Sequence, residues 1–241
     1  MCIKRPRPLT GSIYHYRIML TWFTSALRSV FDIILPLRDR AARTRARNVS
    51  DLPIFPTSYD LLGQRITTLM NYRDPAAEDL IRSLKYDQSG FAAALAAEAL
   101  ADFLREEIAS IRAFSSRPIL IVPVPLHKNR LRERGFNQIE RVLEKLPADF
   151  KDGTLIRYAP NLLVRTRETT PQTKLSRSER LTNVEDAFSL ADATAIRNAH
   201  IIVVDDVTTT GATLAAVAKP LSDAKASVLL LALAHAQRFR R

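Results

Sequence analysis

Residues 201–213 read IIVVDDVTTTGAT. Four apolar residues lead into adjacent carboxylates, Asp205 and Asp206, and a helical pattern begins after Gly211, Ala212 and Thr213. A continuous apolar run of this length reads as a buried strand, and ligands of open α/β sheets sit at the carboxyl ends of such strands. The residues that follow form a tight turn at a helix N-terminus. There, unpaired backbone N–H groups and the positive end of the helix dipole attract phosphate. Gly211 lets the backbone approach an anion without a Cβ in the way. Thr209, Thr210 and Thr213 offer hydroxyl donors, and Val207, Thr208 and Ala212 complete the loop. Each donor to a charged acceptor contributes about 1.5–3 kcal/mol. Carboxylates beside a phosphate loop suit a ligand that separates its charges. A ribose 5-phosphate does so, with hydroxyls on Asp205 and Asp206 and its phosphate in the Thr-Gly loop. The acids also favour positive charge developing at an anomeric carbon. A Walker B strand ends in acids too, but it needs a G-x-x-x-x-G-K-[ST] loop, which this chain lacks. The plainer alternative is a surface turn capped by Asp and Thr.

Two further segments carry charge. Residues 122–138, VPVPLHKNRLRERGFNQ, run from a strand through Pro123 and Pro125 into His127, Lys128, Arg130, Arg132 and Arg134 before Gly135. A basic loop at a strand's carboxyl end suits pyrophosphate, although taken alone it reads better as a solvated turn. Residues 165–180 are polar with no hydrophobic period. A loop this long inside a compact domain is functional or disordered.

Together these segments resemble known families. The strand, acid pair and Thr-Gly loop resemble the phosphoribosyl pyrophosphate (PRPP) motif of type I phosphoribosyltransferases. VPVPLH followed by R-x-R-G-F-N-Q is very similar to the signature of the ComF family. So are Arg165, Thr169 or Thr170, Gln172, Leu175, Arg180, Asn183, Val184 and Phe188, and so are Tyr72 and residues 80–86, LIRSLKY. The resemblance spans residues 69–236. It implies a type I phosphoribosyltransferase α/β fold that binds Mg²⁺ and PRPP and transfers the phosphoribosyl group to an unknown small-molecule acceptor, releasing pyrophosphate. Asp205 and Asp206 would hold the ribose and Mg²⁺, and residues 208–213 the 5-phosphate. His127, Lys128 and a hood over residues 165–185, with Arg165, Lys174, Arg177 and Arg180, would hold the diphosphate. Such a hood excludes water from an activated donor. Some purine phosphoribosyltransferases carry, in the phosphate loop, an acidic residue that acts as a base, where this chain has Thr209. His127 is a candidate base, a phosphate contact or simply exposed. ComF-like proteins usually begin with a four-cysteine zinc ribbon. This chain has one cysteine, Cys2, so no zinc is expected, and a reducing, cytoplasmic setting fits. The family's association with natural transformation gives a second reading, a non-catalytic adaptor that binds DNA or a helicase.

The elements that must position these residues form an α/β pattern with a mostly parallel sheet. Buried strands are expected at 119–124, 201–204 and 227–234, helices at 76–86, 91–114, 136–146 and 212–222, and a short strand at 162–164. Strand–helix–strand over 201–234 is a βαβ unit. Residues 1–68 read as a basic appendage before a domain at 69–241. Its amphipathic stripe at 18–36 packs on the protein or lies on a membrane surface, and a linker fills 38–58. Of the 36 Lys and Arg residues, ten fall in the first fifty, against two Asp, so the net charge of +11 is concentrated there. Such a tail is solvated or meets nucleic acid or an acidic membrane face. Arg28 and Asp32 interrupt the longest apolar stretch, so no transmembrane span is expected.

Overall fold

The computed structural model describes residues 39–151, 153, 156–166, 187–192 and 196–236. Contacts divide the chain at Asp39/Arg40, and every described residue but Asp39 belongs to the second unit. The central strands are β1 (Ile54–Leu61), β2 (Gln64–Asn71), β3 (Ile119–Pro123), β4 (Ile156–Tyr158), β7 (His200–Thr208) and β8 (Ser227–His235). They line up as β1-β2-β8-β7-β3-β4. β1 and β2 form an antiparallel hairpin, and every other pairing is parallel. A separate antiparallel pair joins β5 (Leu163–Arg165) to β6 (Phe188–Leu190).

Helices cover both faces, which is why the parallel strands read as unbroken apolar runs. On one face Ile121, Ile202, Val204 and Leu231 pack under α2 (Pro75–Tyr86), α3 (Gly90–Phe114) and α5 (Gln138–Glu144). On the other, Val122, Ile201, Val203 and Leu230 meet Leu214, Val217 and Leu221 of α6 (Ala212–Asp223). Each fully buried aliphatic contributes about 1.5–3 kcal/mol. α2 starts where Asp74 accepts the Ala76 N–H, with Pro75 in the first turn. The connections from β3 to β4 and from β7 to β8 leave in opposite directions across the sheet. The crevice between the carboxyl ends of β3 and β7 is therefore the topological switch point.

The chain departs from the sequence pattern where apolar signal is weak. The expected linker at 38–58 instead contains α1 (Asp39–Arg45) and much of β1. α1 is held to α2 by charge. Arg40 pairs with Asp87, and Arg43 and Arg47 pair with the buried Asp79, holding its carboxyl below the usual range. β1 is an edge strand that pairs through its backbone, so its mostly exposed side chains carry no alternation. The boundary expected at 68/69 falls inside β2. The basic run after β3, expected as a loop, contains helix α4 (Lys128–Arg134), which buries none of its residues. The amphipathic stripe at 18–36 lies outside the described residues. No described helix is long and apolar enough to cross a membrane.

Candidate functional site

β7 carries Asp205 and Asp206 to the switch point, and the chain then turns through Thr209, Thr210 and Gly211 into α6. Gly211 has φ 85°, a left-handed conformation. A Cβ there would collide with Ile66 Cδ1 and lie 3.0 Å from Leu61 Cδ2 and 3.2 Å from the Tyr59 hydroxyl. Glycine is thus required at this turn, but the side it leaves open faces the β1–β2 hairpin. The side expected from the sequence to admit an anion is filled by that hairpin. Thr210 Oγ1 accepts the Ala212 N–H at 3.4 Å, and Thr208 Oγ1 lies 3.3 Å from the Tyr59 hydroxyl. Thr213 stands in the first turn of α6.

The acid pair is not symmetrical. Asp206 is buried. Lys85 Nζ lies 3.0 Å from its Oδ2, the Gln138 amide donates to the same oxygen, and the Val207 N–H donates to Oδ1. Asp205 is half-buried, and its Oδ1 accepts the Asp206 N–H at 2.8 Å. Burial first, and the adjacent Asp206 second, push the Asp205 carboxyl well above the usual carboxylate range, against the pull of Lys85 and Arg165. A site that costs an anion this much is suited to a cation or to hydroxyl donors.

Across the crevice, His127 caps α4, its Nδ1 accepting the Asn129 N–H at 3.3 Å. That bond occupies one ring nitrogen and gives His127 a structural task. Lys128 and Arg165 line one cleft of about 180 Å³, together with Asn137 and Glu140. Arg165 belongs to β5. Burial and Arg130 lower its pKa while Asp205 opposes them. The structure therefore gathers Asp205, Asp206, residues 207–213, His127, Lys128 and Arg165 at one sheet edge. Lys174, Arg177 and Arg180 lie outside the described residues.

Four residues at this edge escaped the sequence reading of the site. Lys85 and Gln138 stand in LIRSLKY and RGFNQ, segments read from the sequence as part of a helix and the end of a basic loop, with no role expected for either residue. His235, at the end of β8, donates from Nε2 to the Thr209 carbonyl at 3.1 Å and stacks on Tyr59 with ring centroids 4.8 Å apart. His235 also lines a cavity of about 580 Å³ with Phe55, Thr57, Met70, Asn71 and Arg73. No sequence signal marks Tyr59 or His235, because strand pairing alone brings them to the loop.

Among the described residues, no group of three or more His, Cys, Asp or Glu side chains is placed to hold a metal. One or two carboxylates would be enough to hold Mg²⁺, a hard cation that prefers oxygen ligands. The hard carboxylate oxygens of Asp205 fit that ion, whereas both oxygens of Asp206 already have protein partners.

No protein-family model matches the chain. It is 33% identical over 160 residues to DNA utilization protein YhgH of Escherichia coli (strain K12), a match covering 66% of each chain. It is 30% identical over 151 residues to competence protein ComFC of Streptococcus pneumoniae, covering 63% of this chain and 59% of that protein. It is 35% identical over 105 residues to competence protein F of Haemophilus influenzae, covering 43% and 44%. The matches thus span just under two thirds of the YhgH proteins' length and less of the others. On these relatives, the chain belongs to the ComF family.

Proposed function

We propose that this protein binds Mg²⁺ and PRPP at the carboxyl edge of its sheet and transfers the phosphoribosyl group to a small-molecule acceptor. The observation that carries this reading is the acid pair at the end of β7, directly before a Thr-Gly turn at a helix N-terminus, at the switch point of a mostly parallel sheet. A type I phosphoribosyltransferase fold is the finer description that suits this topology. Backbone N–H groups of residues 210–213 hold the 5-phosphate. Lys128 and Arg165 hold the pyrophosphate, and Asp205 favours positive charge at the anomeric carbon as the C1–O bond lengthens. Mg²⁺, when bound, offsets the charge of the departing pyrophosphate. The cavity of about 580 Å³ is the place for the acceptor, since it shares His235 with the phosphate loop and has the size of a small-molecule pocket.

Calorimetric titration of PRPP, with and without Mg²⁺, into wild type and into Asp205→Asn/Asp206→Asn tests the reading. Micromolar binding that needs Mg²⁺ and disappears in the double variant is expected. A folded wild type that takes up no PRPP would refute it.

A second reading is an adaptor in DNA uptake, with DNA or a helicase as partner. It is favoured by the competence and DNA-utilization names of the relatives and by an α4 that presents Lys128, Arg130, Arg132 and Arg134 without burying any of them. Single-stranded DNA binding that weakens steeply with salt would support it.

A further inference from the structure

We propose that the two adjacent carboxylates have different tasks: Asp206 is a buried positioning residue held by Lys85 and Gln138, and Asp205 is the acid that meets the ligand. The inference rests on the reading of this edge as a sugar-phosphate site. Both oxygens of Asp206 are already engaged, Oδ2 by Lys85 and the Gln138 amide and Oδ1 by the Val207 N–H. The Asp206 side chain is 7% exposed and the Lys85 side chain 18%, so a ligand hydroxyl reaching Asp206 would have to displace a buried charge-assisted bond. Gln138 is oriented from its other end as well. Its Oε1 accepts from Arg134 Nη1 at 3.1 Å, which points its Nε2 donor at Asp206. Asn137 locks the same turn, donating to the Val124 carbonyl and to Glu140 while accepting the Ile139 N–H.

Asp205 differs on each count. It is half-buried, accepts only the Asp206 backbone N–H, and has no side-chain donor among the described residues. Lys85 pairs with one of the two neighbouring carboxylates, which eases the repulsion on the other. The arrangement also gives the LIRSLKY and RGFNQ segments a shared purpose. One delivers Lys85 from the last turn of α2, and the other delivers Gln138 from the first turn of α5, to a single carboxylate.

The test combines two measurements on the full chain. Mg²⁺-PRPP affinity is measured calorimetrically for wild type, Asp205→Asn, Asp206→Asn, Lys85→Met and Lys85→Arg. Thermal midpoints are measured for Lys85→Met and Asp206→Asn, singly and combined. Asp205→Asn is expected to lose about 100-fold in affinity or more. Lys85→Met is expected to lose about 10-fold, with most of it restored in Lys85→Arg, a recovery that general destabilisation would not produce. The combined variant should fall by less than the sum of its parts, because each single change strands a buried group. Binding by Lys85→Met equal to wild type, with binding abolished in Asp206→Asn, would overturn the proposal by making Asp206 a direct ligand. Additive midpoints would overturn the pairing. If wild type binds no PRPP, the role of Asp205 falls with the site reading, while the midpoint cycle still decides that of Asp206.

Discussion

The two turns that close the carboxyl edge of the sheet are built in opposite ways. The β7–α6 turn is wedged. Its Gly211 is crowded by Ile66, Leu61 and Tyr59, its Thr209 carbonyl is bonded by His235, and the acid before it is tied to Lys85 and Gln138. The β3–α4 turn is open. α4 buries no residue, and its C-terminal Gly135, also left-handed at φ 76°, has nothing within 4 Å of the Cβ it lacks. The difference points to a division of labour. On the proposed function, the wedged turn suits a group of fixed shape, a phosphate ester, and the open basic turn suits a group that must leave, a pyrophosphate. Preorganisation lowers the ordering cost of binding, and loose cations bind and release by charge with little geometric demand.

Equivalent substitutions in the two turns should therefore diverge. Gly211→Ala meets both a left-handed backbone and a steric clash, so a loss of about 3 kcal/mol is expected. It should appear as a fall in thermal midpoint of roughly 2–4 °C per kcal/mol for a chain of this size, together with loss of PRPP binding. Asp205→Asn should separate binding from stability. A carboxyl whose folded pKa is raised is protonated in the native state over a range where the unfolded chain is ionised. Native stability therefore declines as pH rises above about 4 towards neutrality. In ligand-free protein Asp205→Asn should flatten that decline and raise the midpoint at pH 7, while PRPP binding is lost. A midpoint at pH 7 below wild type would contradict the claim that burial beside Asp206 strains this carboxyl. Gly135→Ala meets only the backbone term and should cost about 1 kcal/mol with PRPP affinity nearly retained. Lys128→Ala should have the smallest effect, weakening PRPP about 3- to 10-fold at low salt and less at high salt, because an exposed cation is screened. A salt-independent loss there would mean that Lys128 is buried against the ligand.

The same contrast explains what the sequence could disclose. The apolar run at 201–204, the acid pair and the Thr-Gly turn are contiguous, and each residue type limits its own environment, so the strand, turn and helix of the β7–α6 segment were legible from the chain alone. α2, α3 and β3 were legible through apolar periodicity. α1, β1 and α4 were not, because ion pairs, edge pairing and capping hold them without a hydrophobic stripe. Gly211 was recognised, but the crowding came from a hairpin about 150 residues earlier in the chain, a tertiary fact no local pattern carries. Lys85 and Gln138 stood in segments already noted, yet only strand pairing, β2 through β8 to β7 on one side and β3 to β7 on the other, brings α2 and α5 over Asp206.

The most direct test of the central claim is a crystal structure of the protein grown with Mg²⁺ and PRPP. The account expects the 5-phosphate against the backbone N–H groups of residues 210–213, the ribose hydroxyls and metal beside Asp205, and the pyrophosphate near Lys128 and Arg165. Electron density for the ligand elsewhere, or an unchanged β7–α6 turn in protein saturated with PRPP, would contradict it.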